Sequence, residues 1–149
     1  MDPKVVVDAS VWVSRLMPQD VNHDASSFWV ERFTAEGGFL VAPTFLLIEV
    51  AASISRVAGD IALAKQIVED INSDSIMQTV PLDAILVQAA VTIAADLQLR
   101  AGDATYVAVA HQLNIPLISW DKEQLQRAGS LVSTYTPDNY TFQEIHEEE

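Results

Sequence analysis

The sequence predicts an α/β domain, a three-layer α/β/α sandwich in which helices cover both faces of a parallel sheet. Short β-branched segments alternate along the chain with longer segments whose apolar residues recur at helical spacing. The strand segments, such as VVV at residues 5–7, are almost continuously apolar, which is typical of strands buried on both faces. With 149 residues, half of them apolar, the chain is long enough for one domain with its own core.

Signals for the start and end of strands and helices can be followed along the chain. Gly37 and Gly38 end the second helix, Pro43 suits the first turn of the third, and Asp83 is a candidate N-cap of the fifth. Strands are predicted at residues 4–7, 39–41, 76–80, 115–119 and 131–133. Helices are predicted at residues 9–17, 24–35, 43–57, 61–71, 84–97, 103–113 and 122–128.

We expect residues 1–143 to form the single domain and residues 144–149 to form an acidic, solvated tail. The chain contains no cysteine, which excludes disulfides, cysteine-bound zinc and a thiol nucleophile and favours the reducing cytoplasm. The first residues lack the pattern of a secretory signal, and the apolar run at residues 84–95 is too short to cross a bilayer. We therefore expect no membrane association.

The charge balance bears on the partners of the chain. It has 21 acidic and 8 basic residues and a formal net charge of −13. Affinity for nucleic acid comes largely from Lys and Arg, so this balance argues against a surface that binds nucleic acid broadly. Any contact with RNA must depend on local positive charge.

Two aspartates follow predicted strands directly. Asp8 comes after VVV, and Asp121 follows the strand that contains PLIS. In doubly wound folds, ligand sites lie beyond the carboxyl ends of the strands, where the strand order reverses. Either residue taken alone could simply cap the next helix.

Two further acids lie in apolar helical segments. Glu49 is flanked by large apolar residues in FLLIEVAASI, and with Ser53 and Arg56 it forms a narrow polar stripe. The alternative is a stripe that faces solvent without a role. Asp103 begins the apolar segment ATYVAVAHQL, so it is either an N-cap or a carboxylate at the edge of the interior.

Convergence of the four acids would require a counter-charge. Two carboxylates about 5 Å apart repel by roughly 3 kcal/mol at an effective dielectric constant of 20. Protonation or a divalent cation must relieve this repulsion, and oxygen ligands without His or Cys select Mg²⁺ or Mn²⁺. Such an ion activates water and stabilises the transition state of phosphodiester displacement.

The four acids and their flanks resemble the acidic quartet of PIN-domain ribonucleases. The matching segments are Asp8 in VVVDAS, Glu49 in FLLIEVAASISR, Asp103 in LRAGDATYVAVA and Asp121 in LISWD. The resemblance extends from Lys4 to about Tyr135 and is nearest to the small VapC toxins of toxin–antitoxin pairs. It implies a sheet in the order 3-2-1-4-5, whose reversal falls between the strands that end at Asp8 and Asp121.

The resemblance also implies an activity and supporting residues. It implies a Mg²⁺-dependent endoribonuclease, with Mn²⁺ as a substitute ion, that acts as a toxin and is neutralised by an antitoxin protein. Ser10 and Ser119 match positions where the family often has a small hydroxyl residue near the metal. Trp120 and Gly102 depart from the family pattern, which bears on how substrate fits.

The motifs of several other enzyme classes are missing from the chain. A phosphoaspartyl phosphatase needs a second acid where this chain has Ser10, and no Walker, dinucleotide or Gly-x-Ser-x-Gly motif is present. Two alternatives stay open: a PIN-like protein-interaction domain with weak or no catalysis, and a housekeeping RNA-processing nuclease.

Partners are predicted from the charged and aromatic residues. Arg15, Arg56 and Arg100 lie at spacings that allow them to rim the acidic pocket and contact RNA phosphates, unless they are scattered solvated side chains. A basic antitoxin would complement the acidic surface. Phe28, Trp29 and Phe33 spread over a broad face of the second helix, from which we expect a homodimer.

Overall fold

The computed structural model describes residues 3–142, so the predicted tail at 144–149 lies outside the described residues. The strands are β1 (Lys4–Val7), β2 (Phe39–Pro43), β3 (Met77–Val80), β4 (Leu117–Ile118) and β5 (Thr134–Tyr135). The helices are α1 (Ala9–Leu16), α2 (His23–Ala35), α3 (Phe45–Ala58), α4 (Ile61–Ser73), α5 (Ala84–Leu97), α6 (Ala101–Leu113) and α7 (Lys122–Ala128).

The five strands form one parallel sheet in the order β3-β2-β1-β4-β5. The predicted α/β/α sandwich and strand order are confirmed. The order reverses between β1 and β4, where Val7 lies beside Ile118 and the Asp8 N–H donates to the Ile118 carbonyl at 3.0 Å. The carboxyl ends of these two strands therefore open side by side.

The core explains why these segments hold together. Residues 5–7 of β1 and both residues of β4 are at most 1% exposed, as their apolar sequences predict. Helix α6 packs against β1, β2 and β4, and all its residues from 104 to 109 are buried. A helix that is buried all round needs no polar face, which accounts for its weak amphipathic pattern.

The predicted starts of the third and sixth helices were wrong. Pro43 ends β2 instead of opening a helix, because β2 pairs with β3 through Pro43 and Val80. Helix α6 begins at Ala101, since the Arg100 carbonyl already accepts from Ala104 N–H. Asp103 thus lies in the first turn and is not the N-cap.

The last strand was also placed too early. The backbone N–H groups of Leu131 and Val132 both donate to the Ala128 carbonyl, so these residues form the turn after α7. Pairing with β4 begins at Thr134. The strand prediction at residues 131–133 was therefore wrong: these residues belong to an apolar turn, and the strand follows them.

The aromatic residues of α2 do not form the outer face that the sequence suggested. Trp29 is 0% exposed and Phe33 is 2% exposed, with their rings stacked at a centroid distance of 5.0 Å. Only Phe28, which is 66% exposed, points outward. Trp29 and Phe33 are four residues apart, so their side chains lie on the same face of α2 and are buried together.

Among residues 3–142, no single helix is both long and apolar enough to span a membrane. Helices α5 and α6 are long and apolar enough only when taken together, and their axes are bent by 113° where the two helices join.

Candidate functional site

Four acidic side chains come from four different elements to the carboxyl edge of the sheet. Asp8 follows β1, Asp121 follows β4, Glu49 is in α3 and Asp103 is in the first turn of α6. They are close enough for the Asp8 charge to raise the pKa of Glu49 and of Asp103. The structure therefore brings together the four acids that the sequence singled out.

Asp8 is the most deeply buried of them, at 6% exposed. It caps α1, and its Oδ2 accepts a hydrogen bond from Ser10 N–H at 2.9 Å. Its Oδ1 accepts from Gln124 Nε2 at 3.4 Å. Burial raises the pKa of Asp8, hydrogen bonds from Ser10 and Gln124 oppose the shift, and the Asp121 charge adds to it.

Glu49 is partly buried, and its Oε1 lies beside Gly102 in the first turn of α6. This oxygen has no hydrogen bond of normal geometry within the described part of the chain. Burial and the charges of Asp8 and Asp103 raise the pKa of Glu49, while the nearby Tyr106 hydroxyl opposes the shift. Along the predicted polar stripe, Ser53 is half-buried and Arg56 is exposed, so only the Glu49 end of the stripe enters the site.

The glycine before Asp103 allows α6 to approach Glu49 closely. A Cβ atom at Gly102 would lie 3.1 Å from Phe45 Cε1 and 3.5 Å from Glu49 Oε1. A side chain there would crowd the Phe45 ring against the α6 backbone. The absence of a side chain at Gly102 therefore allows Glu49 and the first turn of α6 to approach each other closely.

A single guanidinium bridges the two remaining acids. Arg100 Nε donates to Asp103 Oδ2 at 3.2 Å, and its Nη2 donates to Asp121 Oδ2 at 3.1 Å. Burial and the Asp8 charge raise the pKa of Asp103, while Arg100 opposes the shift. Because the Arg100 side chain is 79% exposed, this ion pair is weakly held and its side chain moves at little cost.

The two predicted hydroxyl residues hold the backbone that carries Asp121. Ser10 Oγ accepts from Trp120 N–H at 3.0 Å, and Ser119 Oγ accepts from Asp121 N–H at 3.0 Å. The two hydroxyls are 3.3 Å apart. They link the start of α1 to the end of β4, so they fix Asp121 relative to Asp8.

Trp120 has its own anchor. Its Nε1 donates to Ser26 Oγ at 2.8 Å, and Ser26 Oγ is 2.6 Å from Ser14 Oγ. Ser14 and Ser26 are both buried. The indole is thus tied to α2, and the bulky residue before Asp121 is accommodated without disturbing that acid.

A family model for the PIN domain matches residues 5–130. The chain belongs to the PIN-domain family. This is a family of nucleases that generally use divalent metal ions. The match spans all four acids and places this PIN domain in the nuclease class that the resemblance implied.

Solved structures with low sequence identity share the fold of this PIN domain. VapC20 from Mycobacterium tuberculosis, a toxin that cleaves the sarcin-ricin loop, is 20% identical with a TM-score of 0.70, over 86% of this chain and 96% of its own. FitAcB from Neisseria gonorrhoeae is 16% identical with a TM-score of 0.68, over 91% and 99%. VapBC2 from Rickettsia felis, bound to a promoter DNA fragment, is 12% identical with a TM-score of 0.68, over 89% and 98%. No curated protein sequence matches this PIN domain.

The residues present fit a hard divalent cation. No three His, Asp or Glu side chains among residues 3–142 are arranged to hold an ion as they stand, and Arg100 occupies Asp103 and Asp121. The donors are nevertheless all carboxylates, three of them have raised pKa values, and Glu49 Oε1 lacks a partner. Such a set favours an ion that prefers oxygen ligands over zinc.

Sequence reasoning missed two residues of this PIN domain. Tyr106 is fully buried beside Glu49, and burial together with the charges of Glu49 and Asp8 raises the pKa of its hydroxyl, which stays protonated. Gln124 is fully buried and donates to Asp8. The sequence signal for these two residues was weak, because Tyr106 and Gln124 each lie within a segment that was predicted only as a helix.

The three arginines differ in their surroundings. Arg56 is exposed and forms no ion pair among residues 3–142. The Arg15 guanidinium lies 6.0 Å from the centre of the Trp12 ring, at a small cavity lined also by Asp70. Arg100 is paired within the acidic cluster. Of these three arginines, Arg56 alone is exposed with neither an ion pair nor an aromatic contact among residues 3–142.

Proposed function

We propose that this PIN domain is a Mg²⁺-dependent endoribonuclease that accepts Mn²⁺ as a substitute and acts in the cytoplasm as the toxin of a toxin–antitoxin pair. The observation that carries the proposal is the meeting of Asp8, Glu49, Asp103 and Asp121 at the reversal of strand order. Four carboxylates from separate elements are costly to bring together without a bound cation.

In this proposal, Asp8, Glu49, Asp103 and Asp121 hold the ion. The ion supplies an activated water and neutralises charge on the phosphate during hydrolysis. Water adds across one P–O bond, leaving a phosphate monoester on one RNA fragment and a hydroxyl on the other. Ser10 and Ser119 keep the Asp121 backbone in place, and Arg56 holds a flanking phosphate.

The comparisons support a toxin and its partner. VapC20 is a sarcin-ricin loop cleaving toxin, and a chain of the same fold comes from a toxin–antitoxin complex of Klebsiella pneumoniae. A basic antitoxin segment would complement the net charge of −13 on this chain. We therefore propose RNA as the substrate and a basic antitoxin as the protein partner.

One observation favours the second candidate, a PIN-like interaction domain with weak or no catalysis. Arg100 already forms ion pairs with Asp103 and Asp121, as a structural arginine would. The distinction lies in whether a divalent cation displaces this exposed guanidinium. A catalytic PIN domain requires that it does.

Cleavage of RNA by the purified chain tests both candidates. We expect internal cleavage of a labelled ribosomal RNA fragment in Mg²⁺ or Mn²⁺ and none in EDTA. DNA of the same sequence is the control for substrate class. An intact RNA in both metals, under conditions where the chain is folded, would reject the nuclease and favour the interaction domain.

Arg56→Ala is expected to weaken RNA binding and reduce its salt dependence. Loss of one phosphate contact lowers the slope of log affinity against log salt by about 0.7 for single-stranded RNA. Filter binding with Asp103→Asn protein, which retains the arginine, measures this without cleavage. Lys4→Ala is the control, because Lys4 is an exposed cation that forms no ion pair among residues 3–142 and lies at the start of β1, at the opposite edge of the sheet. An unchanged slope of log affinity against log salt would show that Arg56 does not contact an RNA phosphate.

We also propose a homodimer, on different residues from those first expected. With Trp29 and Phe33 in the core, large exposed apolar side chains lie on several helices, such as Ile48 of α3 at 65% and Ile85 of α5 at 74% exposed. An apolar groove lined by Phe45, Leu82 and Val91 lies beside α5. Exposed apolar surface of this kind is typical of subunit contacts.

A further inference from the structure

Gln124 is a buried polar residue beneath the acidic cluster. Its side chain in α7 is 0% exposed. Its Nε2 donates to Asp8 Oδ1 at 3.4 Å and to the Asp103 carbonyl at 3.3 Å. Its backbone N–H donates to Asp121 Oδ1 at 3.1 Å. One residue therefore contacts three of the four acidic residues.

The contacts determine which way the amide points. Both atoms near Nε2 are acceptors, so the NH₂ group and not the carbonyl must face them. The amide uses its two hydrogens to join the end of β1 to the first turn of α6. These segments are far apart in sequence, and Gln124 sets the distance between the Asp8 carboxylate and the Asp103 backbone.

A neutral donor suits this position better than a charged one. A carboxylate at residue 124 would add repulsion to Asp8 and could not donate to it. An ammonium would supply a permanent positive charge and compete with a divalent cation for the acids. The amide orients Asp8 without changing the charge of the cluster.

We propose that Gln124 is a positioning residue for the candidate metal site. It orients the Asp8 carboxylate and ties it to the backbone of Asp103, and it acts through these acids without contacting RNA. This inference rests on the proposed function. Removing a hydrogen-bond partner of a metal-binding side chain typically costs about 10–100-fold in metal affinity.

The test measures Mn²⁺ affinity in the absence of RNA. We compare wild type with Gln124→Met, which has a similar length and volume but no donor. Free Mn²⁺ is measured by electron paramagnetic resonance during titration of metal-free protein, and melting curves in EDTA check folding. We expect the dissociation constant to rise about tenfold or more in the variant.

Gln126→Met is the matched control, because Gln126 is an exposed glutamine of the same helix. We expect no change in its Mn²⁺ affinity. In cleavage assays, Gln124→Met should approach the wild-type rate when Mn²⁺ is raised to saturation. A defect in folding alone would not be rescued by the ion.

A second measurement keeps the test independent of the variant. In the wild-type spectrum, the side-chain amide resonances of Gln124 should shift when Mg²⁺ is added, while those of Gln126 should not. Unchanged Mn²⁺ affinity in Gln124→Met, or an unshifted Gln124 amide in protein that binds Mg²⁺, would overturn the positioning role alone. Wild-type protein that binds neither ion at millimolar concentration would overturn the proposed function and this role together.

Discussion

Asp8→Asn and Asp103→Asn are each expected to lower the rate of RNA cleavage in Mg²⁺ by about 10²–10³-fold. Each change removes a negative charge from the proposed ion site, and loss of one preorganised electrostatic group in an active site typically costs about 10²–10³-fold. Asp8 is the stronger test because its carboxylate is buried and oriented by Ser10 and Gln124. The rate is measured under single-turnover conditions with a labelled RNA.

Asp60→Asn is the matched control for these variants. Asp60 is exposed and caps α4 through a hydrogen bond to Leu63 N–H at 2.9 Å. Asn caps helices about as well as Asp, so this variant makes the same chemical change away from the acidic cluster. Wild-type cleavage by Asp8→Asn protein would show that the carboxylates do not form the reactive site.

Without metal, the protein is expected to become more stable as the pH falls from 7 toward the unfolded pKa of Asp and Glu, near 4. The folded-state pKa values of Asp8, Glu49 and Asp103 are raised by burial and by their mutual charges. A carboxyl with a raised pKa binds more protons in the folded state than in the unfolded state, so stability falls as the pH rises. The penalty is complete above the folded pKa and disappears below the unfolded pKa, near 4.

Divalent metal is expected to remove much of this penalty at neutral pH. Free Mg²⁺ at about 100 times its dissociation constant adds about 2.7 kcal/mol of stability. For a chain of this size, that gain corresponds to about 5–10 °C in melting temperature. The gain should shrink as the pH falls, because protons and metal compete for the same carboxylates.

Calorimetry of the wild type and of Asp8→Asn, in EDTA and in Mg²⁺ at several pH values, checks both effects. Self-repulsion from the net charge of −13 also weakens on acidification, so the informative quantity is the difference between the two proteins. The wild type should depend more steeply on pH in EDTA and gain more from Mg²⁺. Equal pH dependence and equal metal stabilisation in both proteins would contradict the electrostatic account of the site.

Much of the fold was predictable because local patterns and tertiary packing agree in this chain. The apolar run at residues 5–7 favoured a buried strand, and Asp8 after it was both an N-cap and a site candidate. The structure confirms the N-cap: Asp8 Oδ2 caps α1, while its Oδ1 accepts a hydrogen bond from Gln124. Capping and a role in the acidic cluster are therefore compatible.

The aromatic residues of α2 were harder to predict. Periodicity places Trp29 and Phe33 on one face of the helix, but it does not say whether that face meets the sheet or the solvent. Tyr140, which lies 5.7 Å from Trp29 and 5.8 Å from Phe33 between ring centres, helps to enclose them. That contact joins residues more than 100 positions apart, so no local pattern contains it.

Short segments of definite composition were enough to predict the kinds of element, the family and the four acids. The surroundings of those acids depend on how the chain packs: Arg100 contacts Asp103 and Asp121, and Gln124 lies beneath Asp8. These contacts depend on the distances between side chains from separate helices and strands. Helical periodicity and residue propensity describe neighbours along the chain, whereas the charge and hydrogen bonding of the site arise from neighbours in space.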